Sequence, residues 1–351
     1  MQKIGIVGTA KNTGKTTTLS FLLSSLSHFK KNIAVTGIGY DGEEIDNITL
    51  LPKPRLLIEK NVIAATSEKC FANSDVKFEL LCKTGLRTAL GEILIVQIIK
   101  PGLLVIAGPN KKSDLQKIID LISKYEIDYL FIDGSLNRLS PMSVVDRIIF
   151  TTGAARNNIV SQLASEMKAI EKIFSFPQRK CNYENVNSIR IITKEGETEI
   201  DLNSLLDKND VLLLSEKLKR DVVAIIIPGL ISNEAFDHLL KALKSKFCVN
   251  VELILNSPIN LILAADFLDL QKLIDNIEQS DISIKYLQKP KLEAVTINPF
   301  YPFLHNFHYE AGFISKNDFY REMKSQLTTM VVNIKENGEE LIKQIIDSKM
   351  S

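Results

Sequence analysis

The chain has 351 residues, 43 Lys plus Arg against 42 Asp plus Glu, and a formal net charge of +1. That near-neutral balance leaves no basic field for nucleic acid or for an anionic membrane surface, and no apolar run approaches a membrane span. The cysteines, Cys70, Cys82, Cys181 and Cys248, lie far apart with no Cys-x-x-Cys pair, so reduced thiols in a cytoplasmic protein are expected.

In chain order, a short apolar strand at Lys3–Val7 comes first, which leaves no room for a signal peptide. It stops at Gly8, crosses Thr9-Ala10-Lys11-Asn12-Thr13 and reaches Gly14-Lys15-Thr16-Thr17 at the start of an amphipathic stretch, a helix from Lys15 to about Phe29. A second strand, Asn32–Gly37, leads into the acidic segment Gly39-Tyr40-Asp41-Gly42-Glu43-Glu44-Ile45-Asp46. Arg55–Ile58 and Val62–Thr66 read as a hairpin or an edge excursion. Ile93–Ile99 and Leu103–Ala107, separated by Lys100-Pro101-Gly102, read as two strands joined by a tight turn. Ser113 and Gln116 carry capping-box spacing, so a helix to about Tyr125 follows.

Asp128–Ile132 and Arg147–Thr151 are the next expected strands, followed by a helix at Asn157–Phe174. The pattern then restarts, with strands near Ser188–Thr193, Val222–Ile227, Val249–Leu255, Glu293–Ile297 and Met330–Ile334, and helices at Asn233–Lys246 and Asn317–Thr328. Alternation of this kind predicts an α/β fold with a largely parallel, doubly wound sheet. The length suits two domains, an N-terminal P-loop NTPase domain at 1–155 and a second α/β domain at 156–351.

Strand, glycine-rich loop and Gly-Lys-Thr at a helix start form a phosphate-binding arrangement. Backbone N–H groups of such a loop and the helix N-terminus cradle polyanionic phosphates. Gly8, Thr9, Lys11, Asn12, Thr13, Gly14, Lys15, Thr16 and Thr17 are therefore assigned to a nucleotide. Lys15 is expected on the β/γ-phosphates and the Thr16 hydroxyl on Mg²⁺. A carboxylate closing a fully apolar strand, Asp133 after Tyr129-Leu130-Phe131-Ile132, is the natural metal or water ligand at the carboxyl end of the sheet. The absence of an Asn-Lys-x-Asp guanine-reading motif tilts the nucleotide toward ATP.

Weaker candidates are Arg87 in its glycine-bracketed segment, Asn137-Arg138, and Thr151-Thr152-Gly153-Ala154. Asn256 and Asn298 each close a strand and are considered as base readers. The aromatic group from Phe300 to Tyr309 reads as a packed loop or a docking surface. The histidines give no catalytic set, and His305 with His308 is only a weak metal pair.

The usual loop pattern has glycine where Thr9 stands, with the glycine moved back here to Gly8. This Gly-Thr-x-x-x-x-Gly-Lys-Thr form resembles the dethiobiotin synthetase class of P-loop proteins. In that class an acidic residue after the second strand meets Mg²⁺ or the attacking water, a place matched by Asp41. The resemblance thus adds Asp41 to Lys15 and Asp133 as a catalytic residue, and to Thr16 and Asp133 as a metal ligand. Some members carry a second lysine reaching across a dimer interface, but Ala10 holds that position and Lys11 is one residue off. A homodimer is left open.

The loop, the acidic segment and Phe131-Ile132-Asp133-Gly134 together resemble a narrower family, the P-loop component of the reactivating factor for lysine 5,6-aminomutase. That resemblance implies an ATP-dependent, chaperone-like role with a second ATPase subunit, releasing damaged cobalamin from the aminomutase. A ligase or kinase of the dethiobiotin synthetase type, acting on a small carboxylate, is the alternative. A nucleotide switch without turnover is the third reading.

Overall fold

The computed structural model describes residues 1–39, 55–72, 74–135, 139–179, 186–305 and 308–348. Asp41 and its acidic neighbours, Asn137-Arg138 and Cys181 lie outside the described residues.

The first stretch contains β1 (Gln2–Gly8), α1 (Lys15–His28), β2 (Ile33–Gly37), β3 (Leu56–Ile58), β4 (Ile63–Ser67) and α2 (Glu68–Ala72). It continues through β5 (Lys77–Thr88), β6 (Gly91–Lys100), β7 (Gly102–Leu104), α3 (Lys112–Ile122), β8 (Tyr129–Ser135) and β9 (Arg147–Gly153). After α4 (Val160–Ser175) come β10 (Ile189–Thr193), β11 (Glu197–Ile200), α5 (Lys208–Ser215), β12 (Val222–Ile227) and α6 (Asn233–Ser245). Then follow β13 (Val251–Leu255), α7 (Pro258–Ile262), α8 (Leu270–Glu278) and β14 (Ile282–Tyr286). The last elements are β15 (Lys291–Asn298), β16 (Phe300–His305), β17 (His308–Phe313), α9 (Lys316–Gln326), β18 (Val331–Val332) and α10 (Ile334–Asp347).

The chain divides into two compact units. One comprises Met1–Ala164 with Lys291–Ser351, the other Ser165–Pro290. The division expected at residue 155 treats everything after it as one domain. Instead, β15 pairs in parallel with β9, from Lys291↔Arg147 to Asn298↔Gly153, and so returns the chain to the first unit. A buried ion pair accompanies this ladder: Arg147 Nη1 lies 2.8 Å from Glu293 Oε2, and the Glu293 side chain has no exposure. Gln344 of α10 donates to Glu293 Oε1 at 2.6 Å and so joins the same lock.

Among the described residues the first unit is built on a nine-stranded sheet, ordered β18-β15-β9-β1-β8-β2-β4-β6-β5. It is parallel from β18 to β4 and antiparallel at β4–β6 and β6–β5. This is a mixed α/β fold with a large, mostly parallel sheet. Helix α1 buries Leu19, Leu22, Leu23 and Leu26 completely. Their i, i+3, i+4, i+7 spacing makes one apolar stripe, and each leucine contributes about 2 kcal/mol by leaving water. The stripe packs with Ile4 and Ile6 of β1, Tyr129 and Phe131 of β8, and Leu341, Ile342 and Ile345 of α10. Alternation sends Gly5 and Gly134 to the opposite face, where Met142 presses so closely that a Cβ at either would meet its side chain at 2.6 and 2.2 Å.

Some elements differ from expectation. Leu56–Ile58 and Ile63–Ser67 do not pair with each other: β3 joins β7, and β4 enters the main sheet beside β2. The two strands expected on either side of Lys100-Pro101-Gly102 are present as β6 and β7, joined at Pro101, with β7 shorter than expected and each paired elsewhere, β6 with β4 and β5 and β7 with β3. Helix α3 begins at Lys112 with Lys111 at its N-cap and no side-chain cap, so Ser113 lies inside the first turn and its capping box is unused.

The second unit has a five-stranded sheet ordered β11-β10-β12-β13-β14, again among the described residues. Its strands β12, β13 and β14 are parallel. No described helix is long and apolar enough to cross a membrane.

Candidate functional site

The carboxyl end of β1 turns at Gly8 into residues 9–14, which deliver the chain to α1. Two positions in this loop have left-handed backbone, Asn12 with φ 62° and Gly14 with φ 93°. Gly14 is the N-cap of α1, offers no side-chain acceptor, and is followed by a first turn without acidic residues. The first bond of the helix is Thr18 N–H to Gly14 O at 2.9 Å. The N–H groups ahead of it have no acceptor within the helix, and the positive end of the helix dipole points into the loop. An anion is the natural complement.

A band of threonines fixes the loop to its neighbours. Thr9 N–H donates to Thr151 O at 3.0 Å, and the Thr9 hydroxyl donates to Thr152 Oγ1 at 3.2 Å. Thr13 Oγ1 donates to Ala10 O at 2.9 Å and lies 3.3 Å from Thr151 Oγ1. Thr9, Thr13, Thr151 and Thr152 are all buried. A Cβ at Gly8 would sit 3.2 Å from Thr13 Oγ1, so glycine there lets the loop fold back on itself. On its outer side, Asn298 Nδ2 donates to Asn12 O at 2.9 Å, and Arg156 Nη1 donates to Thr9 O at 3.3 Å.

Asp133 reaches the same place by sheet alternation. Tyr129 and Phe131 face the core cluster that contains α1, so Asp133, two residues on, faces α1 as well. Its Oδ1 lies 3.0 Å from Lys15 Nζ, with both side chains about one-quarter exposed. Oδ1 is buried and has no donor aligned for a hydrogen bond, so charge rather than directed bonding holds the pair. The ammonium and the carboxylate occupy the ground where a phosphate and a cation would each find a partner.

A cavity of about 420 Å³ adjoins the loop. Its walls include Gly14 and Thr17 from the loop and α1, Asn298, Phe300 and Phe313 around the β16–β17 hairpin, and Lys316 with Glu336. The Phe300 and Phe313 rings meet edge to face with centroids 5.7 Å apart. Lys316 Nζ pairs with Glu336 Oε1 at 2.6 Å.

Gly8, Thr9, Asn12, Thr13, Gly14 and Lys15 are thus brought together with Asp133, while Thr16 and Thr17 lie in the first turn of α1. Lys11 is exposed. Arg87 lies on β5, the outer edge strand, opposite Glu92, and is not brought to the loop. Asn256 belongs to the second unit. His305 Nδ1 lies 2.8 Å from Glu310 Oε1 on the exposed hairpin. Among the described residues no three His, Cys, Asp or Glu side chains could together hold a metal. A cation here would draw on Thr16, Asp133 and the oxygens of a bound phosphate, which suits Mg²⁺. Thr151, Thr152 and Asn298, expected as ligand contacts, each lie within hydrogen-bonding distance of the loop, and Asn298 also lines the cavity. No protein-family profile matches the chain, and no curated protein sequence or solved structure gives a significant match.

Proposed function

We propose that this protein binds a nucleoside triphosphate, ATP by preference, with Mg²⁺ at the Gly8–Thr16 loop, and that it hydrolyses the terminal phosphate slowly. The observation that carries this reading is the meeting of Lys15 and Asp133 at an uncapped helix N-terminus. The loop amides and Lys15 would hold the β- and γ-phosphates, while Thr16, Asp133 and Asp41 would share the metal. Bound Mg²⁺ neutralises phosphate charge. The adjoining cavity is large enough for a nucleoside, and its phenylalanine rings offer a surface for a base.

The narrower reading is an ATPase subunit of a reactivating factor for lysine 5,6-aminomutase, working with a second subunit to release damaged cobalamin. Its support is the shared loop, acidic segment and Phe131–Gly134 pattern. Calorimetric titration with Mg·ATP tests the first reading: Lys15→Ala, still folded, should bind at least about a hundredfold more weakly, and unchanged affinity overturns it. Turnover measured with and without aminomutase carrying inactivated cobalamin tests the second. Stimulation and recovered mutase activity are expected, and neither appearing overturns that assignment.

A further inference from the structure

Asn298 stands at the carboxyl end of β15, beside the loop, where a carboxamide is usually thought of as reading a base edge. Its hydrogen bonds point elsewhere. Nδ2 donates to the backbone carbonyl of Asn12 at 2.9 Å, and Oδ1 accepts from Phe300 N–H at 3.3 Å. A carbonyl on one side and an N–H on the other fix which end of the amide is which.

The rest of the residue is wedged just as tightly. Ala154 N–H donates to Asn298 O at 3.0 Å. A Cβ on Gly153 would come within 2.4 Å of that oxygen, and one on Gly14 within 3.1 Å of Asn298 Cβ. The side chain therefore abuts both left-handed positions of the loop, holding the Asn12 carbonyl and packing on Gly14.

We propose that Asn298 is a positioning residue that pre-forms the phosphate cradle, holding Asn12 and Gly14 in left-handed backbone, and that it contributes to phosphate affinity without regard to the base. This rests on the nucleotide reading above and assigns a residue of that site. A carbonyl tied back by Asn298 cannot swing toward incoming phosphate oxygens, and the loop N–H groups stay aimed inward. Pre-forming such a cradle removes an ordering cost from binding.

The test uses tripolyphosphate, which has no base, beside ATP and GTP. Asn298→Ala should weaken all three by a similar factor, about two- to tenfold, the scale of one hydrogen bond. Thermal midpoint should change little, and amide hydrogen exchange should speed up over residues 9–14. Loss of ATP affinity with tripolyphosphate binding intact would make Asn298 a base reader and overturn the proposal. So would unchanged affinity for all three. If Asn298→Ala does not fold, Asn298→Ser, which also lacks the reach to Asn12, replaces it with the same readings. Wild-type protein binding neither ATP nor tripolyphosphate would instead overturn the nucleotide reading itself.

Discussion

Lys15 and Asp133 neutralise each other across 3.0 Å at the mouth of the loop. Each is the natural partner of something else, the ammonium of a phosphate and the carboxylate of a cation. On the proposed reading, phosphate and cation binding would be linked through this pair, because a cation on Asp133 would free Lys15 and a phosphate on Lys15 would free Asp133. Asp133→Asn removes the competitor. With metal chelated, the variant should bind ATP about three- to tenfold more tightly than wild type, and addition of Mg²⁺ should help it less. Titrations with EDTA and with Mg²⁺ check this; weaker binding by the variant under both conditions would remove the linkage.

Gly14 combines φ 93° with the close approach of Asn298. An alanine there meets both backbone strain and crowding, so Gly14→Ala should destabilise the folded protein by about 1–2 kcal/mol and depress phosphate binding. Chemical denaturation and tripolyphosphate titration give the two measurements, and a neutral Gly14→Ala would contradict the loop geometry.

The Arg147–Glu293 pair is a side-chain ion pair between β9 and β15. Arg147 Nη2 also donates to Ser348 O at 2.9 Å, and Lys291 Nζ lies 3.3 Å from Glu293 Oε2. Arg147→Met leaves a buried carboxylate with reduced compensation and should cost about 3 kcal/mol. Adding Glu293→Gln should recover part of that loss. Melting of the single and double variants tests the pair, and a silent Arg147→Met would mean that Lys291 and Gln344 suffice.

Tyr286, in the second unit, is completely buried and donates its hydroxyl to Ile173 O at 2.9 Å. Burial pushes its phenol well above the ordinary value. The folded state thus holds the neutral form while the unfolded chain ionises near pH 10. The associated stability is present in full below about pH 10 and is lost as the pH rises toward the folded value. Tyr286→Phe should cost about 1 kcal/mol at neutral pH, and its deficit against wild type should shrink at alkaline pH. Denaturant midpoints from pH 7 to 11 supply that difference curve.

The local chemistry was the legible part of this chain. Gly8 and Gly14 bracket a turn, so their residue types carry their places with them, whereas Asp133, expected just past its strand, lies inside β8 opposite Ile6 and Gly37. The helix of Leu19, Leu22, Leu23 and Leu26 was equally plain from its spacing. Strand order was not, because β15 pairs with β9 across the whole second unit and nothing local in Lys291–Asn298 names its neighbour. The aromatic stretch around Pro302 hid a hairpin, since proline discourages a strand reading. Asn298 could be picked out only as a strand-end asparagine. Its link to Asn12 depends on a backbone carbonyl, which has no signature in sequence.

Asn12 and Asn298 are separated by 286 residues of chain. At a synthesis rate of about 5–20 residues per second, Asn298 leaves the ribosome tens of seconds after the loop does. Through that interval the nascent protein displays Gly-Lys-Thr without the far strand that ties it down. On the nucleotide reading, the modest share of phosphate affinity that Asn298 supplies would arrive only once β15 has docked, so the loop's grip would tighten late in synthesis.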